Sequence, residues 1–234
     1  MLLLVVFLIL YAVFYQRKIS GQREAHQRAL LGAAIESQEL ERERIARDLH
    51  DDLQQQFAAV KLAVERVILR LPEGDEGKAI LQDAAKMAAD SVDATRNIAR
   101  DLLPPTLSKL GLAEALDELC QRMEGTGMKA GFTLEGEYQR IDKDTELALY
   151  RVVQELVANT LKHAEASRLD LSMTCHSNRL SLCVSDNGKG FDMASAKKGL
   201  GLRNIESRMG TINGTYHINT SPGKGITVTL STSI

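Results

Sequence analysis

Tryptophan is absent from the 234-residue chain, and the aromatics together make up only 4% of it. Such scarcity counts against a surface that stacks unpaired bases. Neither sign of charge dominates, with 29 Lys plus Arg against 31 Asp plus Glu, so no basic field argues for direct nucleic-acid binding. Cysteine is sparse: Cys120, Cys175 and Cys183 are odd in number, widely spaced and form no CxxC pair. A disulfide framework and a cysteine metal site are thereby disfavoured, and the three read as small core residues in a reducing compartment. Proline occurs only at Pro72, Pro104, Pro105 and Pro222, leaving long stretches free to be helical. Internal repeats and low-complexity segments are also missing, which excludes a repeat array. The length has room for one or two domains with a sizeable core.

What is present begins with an apolar run, Met1 to Tyr15, followed by Gln16, Arg17 and Lys18. Fifteen helical residues span roughly 22 Å, short of a hydrocarbon core of roughly 30 Å. A cleaved signal peptide is the rival reading, yet a basic n-region and an A-x-A site are lacking. The trailing positive charge predicts a cytoplasmic C-terminal side, with Tyr11 and Tyr15 at the interface. Residues 1–16 are therefore expected to form a single membrane anchor, met by local thinning or belonging to a longer span.

One long helix is expected from Ile19 to Leu71, its part at 17–40 acting as a linker or signalling helix. Ile45, Leu49, Leu53, Phe57, Val60, Val64 and Leu71 recur at spacings near three and four, an apolar stripe suited to packing on other helices. The breaker cluster from Leu71 to Gly77 ends it. A second helical pattern, Ala79 to Leu103, carries Ile80, Leu81, Ala84, Met87, Ala88, Val92, Ile98 and Leu102, and stops at Pro104 and Pro105. Two antiparallel helices cannot hide both apolar faces alone, so residues 41–104 predict a homodimeric four-helix bundle.

Within the first helix lies Glu41 to Gln56, ERERIARDLHDDLQQQ. Asp51 and Gln55 are four apart and share a helix face, with His50 one step round. A carboxylate beside an imidazole holds one ring nitrogen as donor and leaves the other free as nucleophile or base. Taken alone, the run is better read as a solvated charged helix with an incidental His, and only the downstream motifs overturn that reading.

Residues 105–234 mix helix and strand. After turn residues and a helical pattern in Thr106 to Leu119, strands are expected at Phe132–Tyr138, Leu169–Thr174 and Arg179–Ser185. A helix is expected at Lys143–Ala164, and a closing hairpin around Ser221–Gly225. Three motifs stand out. In Gln154 to Ala164, QELVANTLKHA, Glu155, Asn159, Lys162 and His163 fall within about 100° of helical arc, with Val153, Leu156, Val157, Leu161 and Ala164 opposite and expected to bury. The polar face offers oxygens to a hard cation and positive charge to phosphates; an ordinary amphipathic helix is the plain alternative. Next, Val184 to Asp192 runs a strand into DNGKG. Gly188 and Gly190 let the backbone approach a flat ligand, and Asp186 can accept from an amino group on it, although a bare turn reads the same way. Last, Lys198 to Ile205, KGLGLRNI, places a GxG loop before a helix at Leu202–Met209, offering unpaired N–H groups to phosphate; GxG by itself is weak evidence.

Their order, within about 50 residues, resembles the N, G1 and G2 boxes of the GHKL ATP-binding fold. Preceded by ERERIARDLHDD, the chain resembles a sensor histidine kinase, and more narrowly the subfamily that phosphorylates NarL/LuxR-type response regulators. The resemblance covers about residues 38–234 and implies a helical hairpin followed by a GHKL α/β sandwich. It implies that His50 accepts the γ-phosphoryl group of ATP, oriented by Asp51. By the N box, Glu155 sits near the water shell of Mg²⁺, Asn159 ligates it, and Lys162 and His163 meet phosphate oxygens. By G1, Asp186 reads the adenine amino group while Gly188 and Gly190 shape the pocket; by G2, Gly199 and Gly201 close over the phosphates. Thr227, after the final glycines, supports the adenine pocket. The family's reverse reaction, dephosphorylation of the regulator, uses an Asp four residues before a Gln, matched by Asp51 and Gln55, with Gln54 and Gln56 as neighbours that blur the match. The stretch Phe191 to Lys198 leaves a short lid, and no input domain is visible upstream of residue 16. GHKL chaperones and mismatch-repair ATPases lack the upstream His-bearing helical pair. A membrane-tethered nucleotide-binding scaffold without kinase turnover is the alternative function.

Overall fold

A computed structural model describes the chain except Met1, Glu73, Thr126, residues 194–198 and Ile234. The side chains of His50, Asp51, Leu200 and most of the first 28 residues also lie outside the description. The chain divides into two compact units, Glu36–Pro105 and the remainder (Met1–Ile35 with Thr106–Ile234).

The Glu36–Pro105 unit is helical. Helix α1, Leu2–Asp48, runs into it and continues through a five-residue π turn, Leu49–Leu53, into α2, Gln54–Ile68. Arg44 bridges Glu41 and Asp48 along the exposed face of α1. Helix α2 stops three residues short of the expected Leu71: ahead of Pro72 the Arg70 and Leu71 N–H groups donate to the Val67 and Ile68 carbonyls, three residues back rather than four. Helix α3, Glu76–Leu102, begins earlier than expected because Asp75 caps it, its carboxylate accepting from the Gly77 N–H. It packs antiparallel on α2, and Ala85, Ala88, Thr95 and Ala99 are its buried residues.

The other unit holds a five-stranded sheet in the order β1-β2-β3-β5-β4: β1 Lys129–Glu135, β2 Arg168–His176, β3 Arg179–Asp186, β4 Thr215–Thr220 and β5 Ile226–Ser233. The β1–β2 pair is parallel and the rest antiparallel. Short helix α4, Pro105–Lys109, precedes α5, Leu112–Glu124; α6, Lys143–Asn159, leads into a second π turn, Thr160–Ala164; α7, Leu200–Thr211, follows β3. Alternation decides the sheet's inner face: Leu180, Leu182 and Val184 of β3, Leu169, Leu171 and Met173 of β2, and Val228 and Leu230 of β5 join Leu116, Leu149, Val153, Ile205 and Met209 from the helices in one core. The first strand sits three residues earlier than the expected Phe132–Tyr138, since its register against Arg168–Thr174 starts at Lys129.

All three cysteines are free, Cys120 and Cys175 buried and Cys183 half-buried. Among the described residues no helix is long and apolar enough to cross a membrane, so the anchor expected over 1–16 gains no support from the fold.

Candidate functional site

The inward row of β3 is apolar until its last member: Leu180, Leu182 and Val184 are followed, two residues on, by Asp186. A period of two therefore carries a carboxylate into the helix-facing side of the sheet, where it is only 8% exposed. Its oxygens are both engaged. Oδ1 accepts from the Gly188 N–H at 2.9 Å, and Oδ2 from the Thr160 hydroxyl at 2.9 Å.

The turn after β3 is built tightly. Asn187 Oδ1 accepts from the Ser167 and Arg168 N–H groups, and its Nδ2 donates to Ser167 Oγ. The Lys189 N–H donates to the Ala164 carbonyl at 2.8 Å. A Cβ on Gly188 would lie 2.4 Å from that carbonyl oxygen, so the approach is available only to glycine. Gly190 has φ +56, and a Cβ there would meet the Ser221 carbonyl oxygen at 2.2 Å. Opposite, the Thr220 hydroxyl accepts from the Phe191 N–H and donates to the Gly225 carbonyl.

These elements enclose a cavity of about 390 Å³. Its floor is Asp186 with Thr160; Leu156, Val184, Ile205, Ile218, Ile226 and Val228 supply apolar walls, and Asn159, His163, Lys189, Gly190, Gly199 and Gly201 stand around it. Helix α7 starts at N-cap Gly199, which has no side chain to cap it, so among the described residues no side-chain cap takes its first N–H groups, the end of a helix that favours an anion. The third motif is carried against the first: a Cβ on Gly201 would fall 2.7 Å from Glu155 Oε1 and 3.4 Å from Asn159 Nδ2. A flat heterocycle with an amino group, extended by a polyanion, fits this combination of buried acceptor, apolar walls and helix N-terminus.

Asn159, His163, Asp186, Gly190, Gly199 and Gly201 thus meet around one cavity. Glu155 stands beside Gly201, and Gly188 lies beneath Asp186. Lys162 is exposed on the π turn and is not among the residues around the cavity. Thr227 departs from its expected place: it pairs with Ser185 and bonds its hydroxyl at 2.9 Å on the outer face of the sheet, while Ile226 and Val228 on either side line the cavity. Strand alternation is the reason. Leu161, expected to bury, is 46% exposed, because the π turn opened at Thr160 breaks the 100° step on which that expectation stood. Among the described residues no three His, Cys, Asp or Glu side chains gather as a metal site.

His50 and Asp51 lie in the first π turn, their side chains outside the described residues. The turn closes with the Gln54 N–H donating to the Leu49 carbonyl, five residues back. Gln54 Nε2 is buried without a hydrogen-bond partner among the described residues, whereas Gln55 and Gln56 are exposed. The expected lid is described only as far as Met193. Sequence reading passed over Thr160, Asn187 and Thr220. Neither Thr160 nor Asn187 carried a local signal, since their partners lie 26 and 19 to 20 residues away.

Residues 41–107 match the family described as histidine kinase, and residues 144–233 the family described as histidine kinase-, DNA gyrase B- and HSP90-like ATPase. The chain is 34% identical over 222 residues to the sensor histidine kinase MctS of Rhizobium johnstonii, covering 92% of this chain and 47% of MctS. It is 34% identical over 204 residues to the signal transduction histidine-protein kinase/phosphatase DegS of Brevibacillus brevis, covering 86% and 53%. Against the oxygen sensor histidine kinase NreB of Staphylococcus carnosus the identity is 33% over 224 residues, covering 93% and 63%. The chain therefore spans about half to two thirds of the length of the curated relatives it matches. With a helical pair bearing His50 ahead of a sheet unit whose three motifs converge on one cavity, the chain belongs to the sensor histidine kinases.

Proposed function

We propose that the chain is the kinase portion of a two-component sensor, transferring the γ-phosphoryl group of ATP to His50 and from there to an Asp of a NarL/LuxR-type response regulator. The observation that carries the reading is the convergence of Asp186, Asn159 and the uncapped start of α7 on one cavity. Asp186 takes a hydrogen bond from the base, the apolar walls enclose its faces, and the N–H groups of α7 receive phosphate oxygens. Asn159, with Glu155 beside Gly201, would hold Mg²⁺, which would supply neutralisation of charge on the phosphates. At His50 a ring nitrogen forms the new bond to phosphorus as the bond to the ADP oxygen breaks, so ADP leaves with the electron pair. Asp51 holds the ring's other nitrogen as a donor, which keeps the attacking nitrogen unprotonated.

Three finer features belong to the same reading. Apolar residues left exposed on α2 and α3 support a homodimeric four-helix bundle. Gln55, exposed five residues after His50, supports a phosphatase activity in which its amide orients water toward the phosphorylated regulator; the name of DegS, a kinase/phosphatase, accords with it. The apolar run 1–15 followed by Arg17 and Lys18 supports attachment to a bacterial cell membrane with the kinase on the cytoplasmic side.

Incubation with γ-labelled ATP and Mg²⁺, beside His50→Gln, tests the central claim. Acid-labile, alkali-stable label on the wild type and none on the variant is expected. Label persisting on His50→Gln would identify a different acceptor, and nucleotide binding without label on either would favour a scaffold.

A further inference from the structure

Asp186 is held by two donors, and only one is intrinsic to its turn. The Gly188 N–H on Oδ1 comes from the backbone two residues on. Oδ2 depends on a side chain, the hydroxyl of Thr160 from the end of α6. Thr160 is itself buried, and its hydroxyl has two acceptors in reach: Asp186 Oδ2 at 2.9 Å and the Leu156 carbonyl at 3.1 Å. A hydroxyl carries one hydrogen. The Leu156 carbonyl already accepts from the Thr160 backbone N–H, so Asp186 has the greater need of the hydroxyl proton. A β-branched residue inside a helix runs against local propensity, and at this point a side-chain contact outweighs it.

We propose that Thr160 is a positioning residue for base selection. Resting on the nucleotide reading above, the inference is that the Thr160 hydroxyl locks Asp186 as an acceptor, so that the cavity takes a purine presenting an amino group and rejects one presenting a carbonyl at the same place. With one donor on each oxygen, the lone pairs that remain on the carboxylate can only accept. A 6-amino purine satisfies them. A 6-oxo purine sets a carbonyl oxygen against the carboxylate at that place, and its nearest proton, on N1, lies one ring position away, so the base pairs only by shifting between the apolar walls. Without the hydroxyl, one side of Asp186 loses its fixed partner, and the carboxylate is free to turn away from the oxo group or to admit water.

Equilibrium binding of ATP and of ITP, with Mg²⁺, to the full chain tests this on wild type, Thr160→Val and Thr160→Ser. Wild type is expected to favour ATP by at least about tenfold. Thr160→Val, which keeps the shape and removes the hydroxyl, is expected to lower that ratio about tenfold, and Thr160→Ser to restore it to within about threefold of wild type. Thr160→Ala gives the same reading should Thr160→Val not fold. A wild-type ratio in the variant lacking the hydroxyl, or an equal loss of both nucleotides, overturns the role of Thr160. Wild type binding neither nucleotide overturns the nucleotide reading itself, a result seen before any variant is compared.

Discussion

At the scale of single residues, the glycines near the cavity are not equivalent. Gly190 combines φ +56 with a would-be Cβ contact of 2.2 Å to backbone, and neither can relax by moving a side chain. Gly190→Ala should destabilise the sheet unit by about 1–3 kcal/mol or more, read from urea unfolding. Gly199 has open space around it and an ordinary φ of −69; Gly199→Ala should leave the unfolding midpoint almost unchanged. Cys120 gives a pH test. Burial, then the charges of Asp117, Glu124 and Asp170, push its thiol from the ordinary 9.0 up to about 12. A folded pKa above the unfolded one favours the neutral thiol in the fold, so its contribution is complete below pH 9 and declines as pH rises from there toward 12. Urea unfolding across that window should show a decline that is shallower in Cys120→Ala.

At the scale of elements, the start of α6 is tied to the turn between α4 and α5. The Glu146 carboxylate is buried and accepts from the Tyr138 hydroxyl and from Arg140 Nε and Nη2, both at 2.8 Å. Arg140 Nη2 also donates to the Leu107 carbonyl, and the Leu112 N–H donates to the Tyr138 oxygen. Helix α6 carries Asn159 and Thr160 at its other end, so this anchor sets where the cavity floor stands. Glu146→Ala should cost about 2–3 kcal/mol by urea unfolding, below the range for a fully buried pair, because the Arg140 side chain is 37% exposed and water replaces part of the loss. The elements themselves were largely legible: apolar recurrence, the prolines and the alternation in β2 and β3 are local properties. The two π turns were not. An extra residue in a helical turn leaves no mark in composition, and it redirected Leu161 to the surface.

At the scale of the whole molecule, the helical unit leaves its apolar stripe unburied. Val60 is 52% and Met87 70% exposed, with Val67 and Ile80 also exposed seven residues from each. Seven-residue spacing is the signature of a seam facing another helix pair. On the proposed homodimeric bundle, Val60→Glu combined with Met87→Glu is expected to shift the chain from dimer to monomer by light scattering and to remove the label on His50.

The order and chemistry of the motifs were determined by sequence alone: a histidine between acidic neighbours on a helix, then three separated motifs whose Asp, Asn and glycines have few other uses in that order. Local rules suffice for these, because helix and strand periodicity place side chains on faces without knowledge of distant partners. Tertiary structure alone decided the partnerships. Thr160 reaches Asp186, Gly201 is pressed beside Glu155, and Thr227 turns outward while Ile226 and Val228 line the cavity. Each depends on how a helix end meets a strand end or on strand register, and both follow from the packing of residues far apart in the chain.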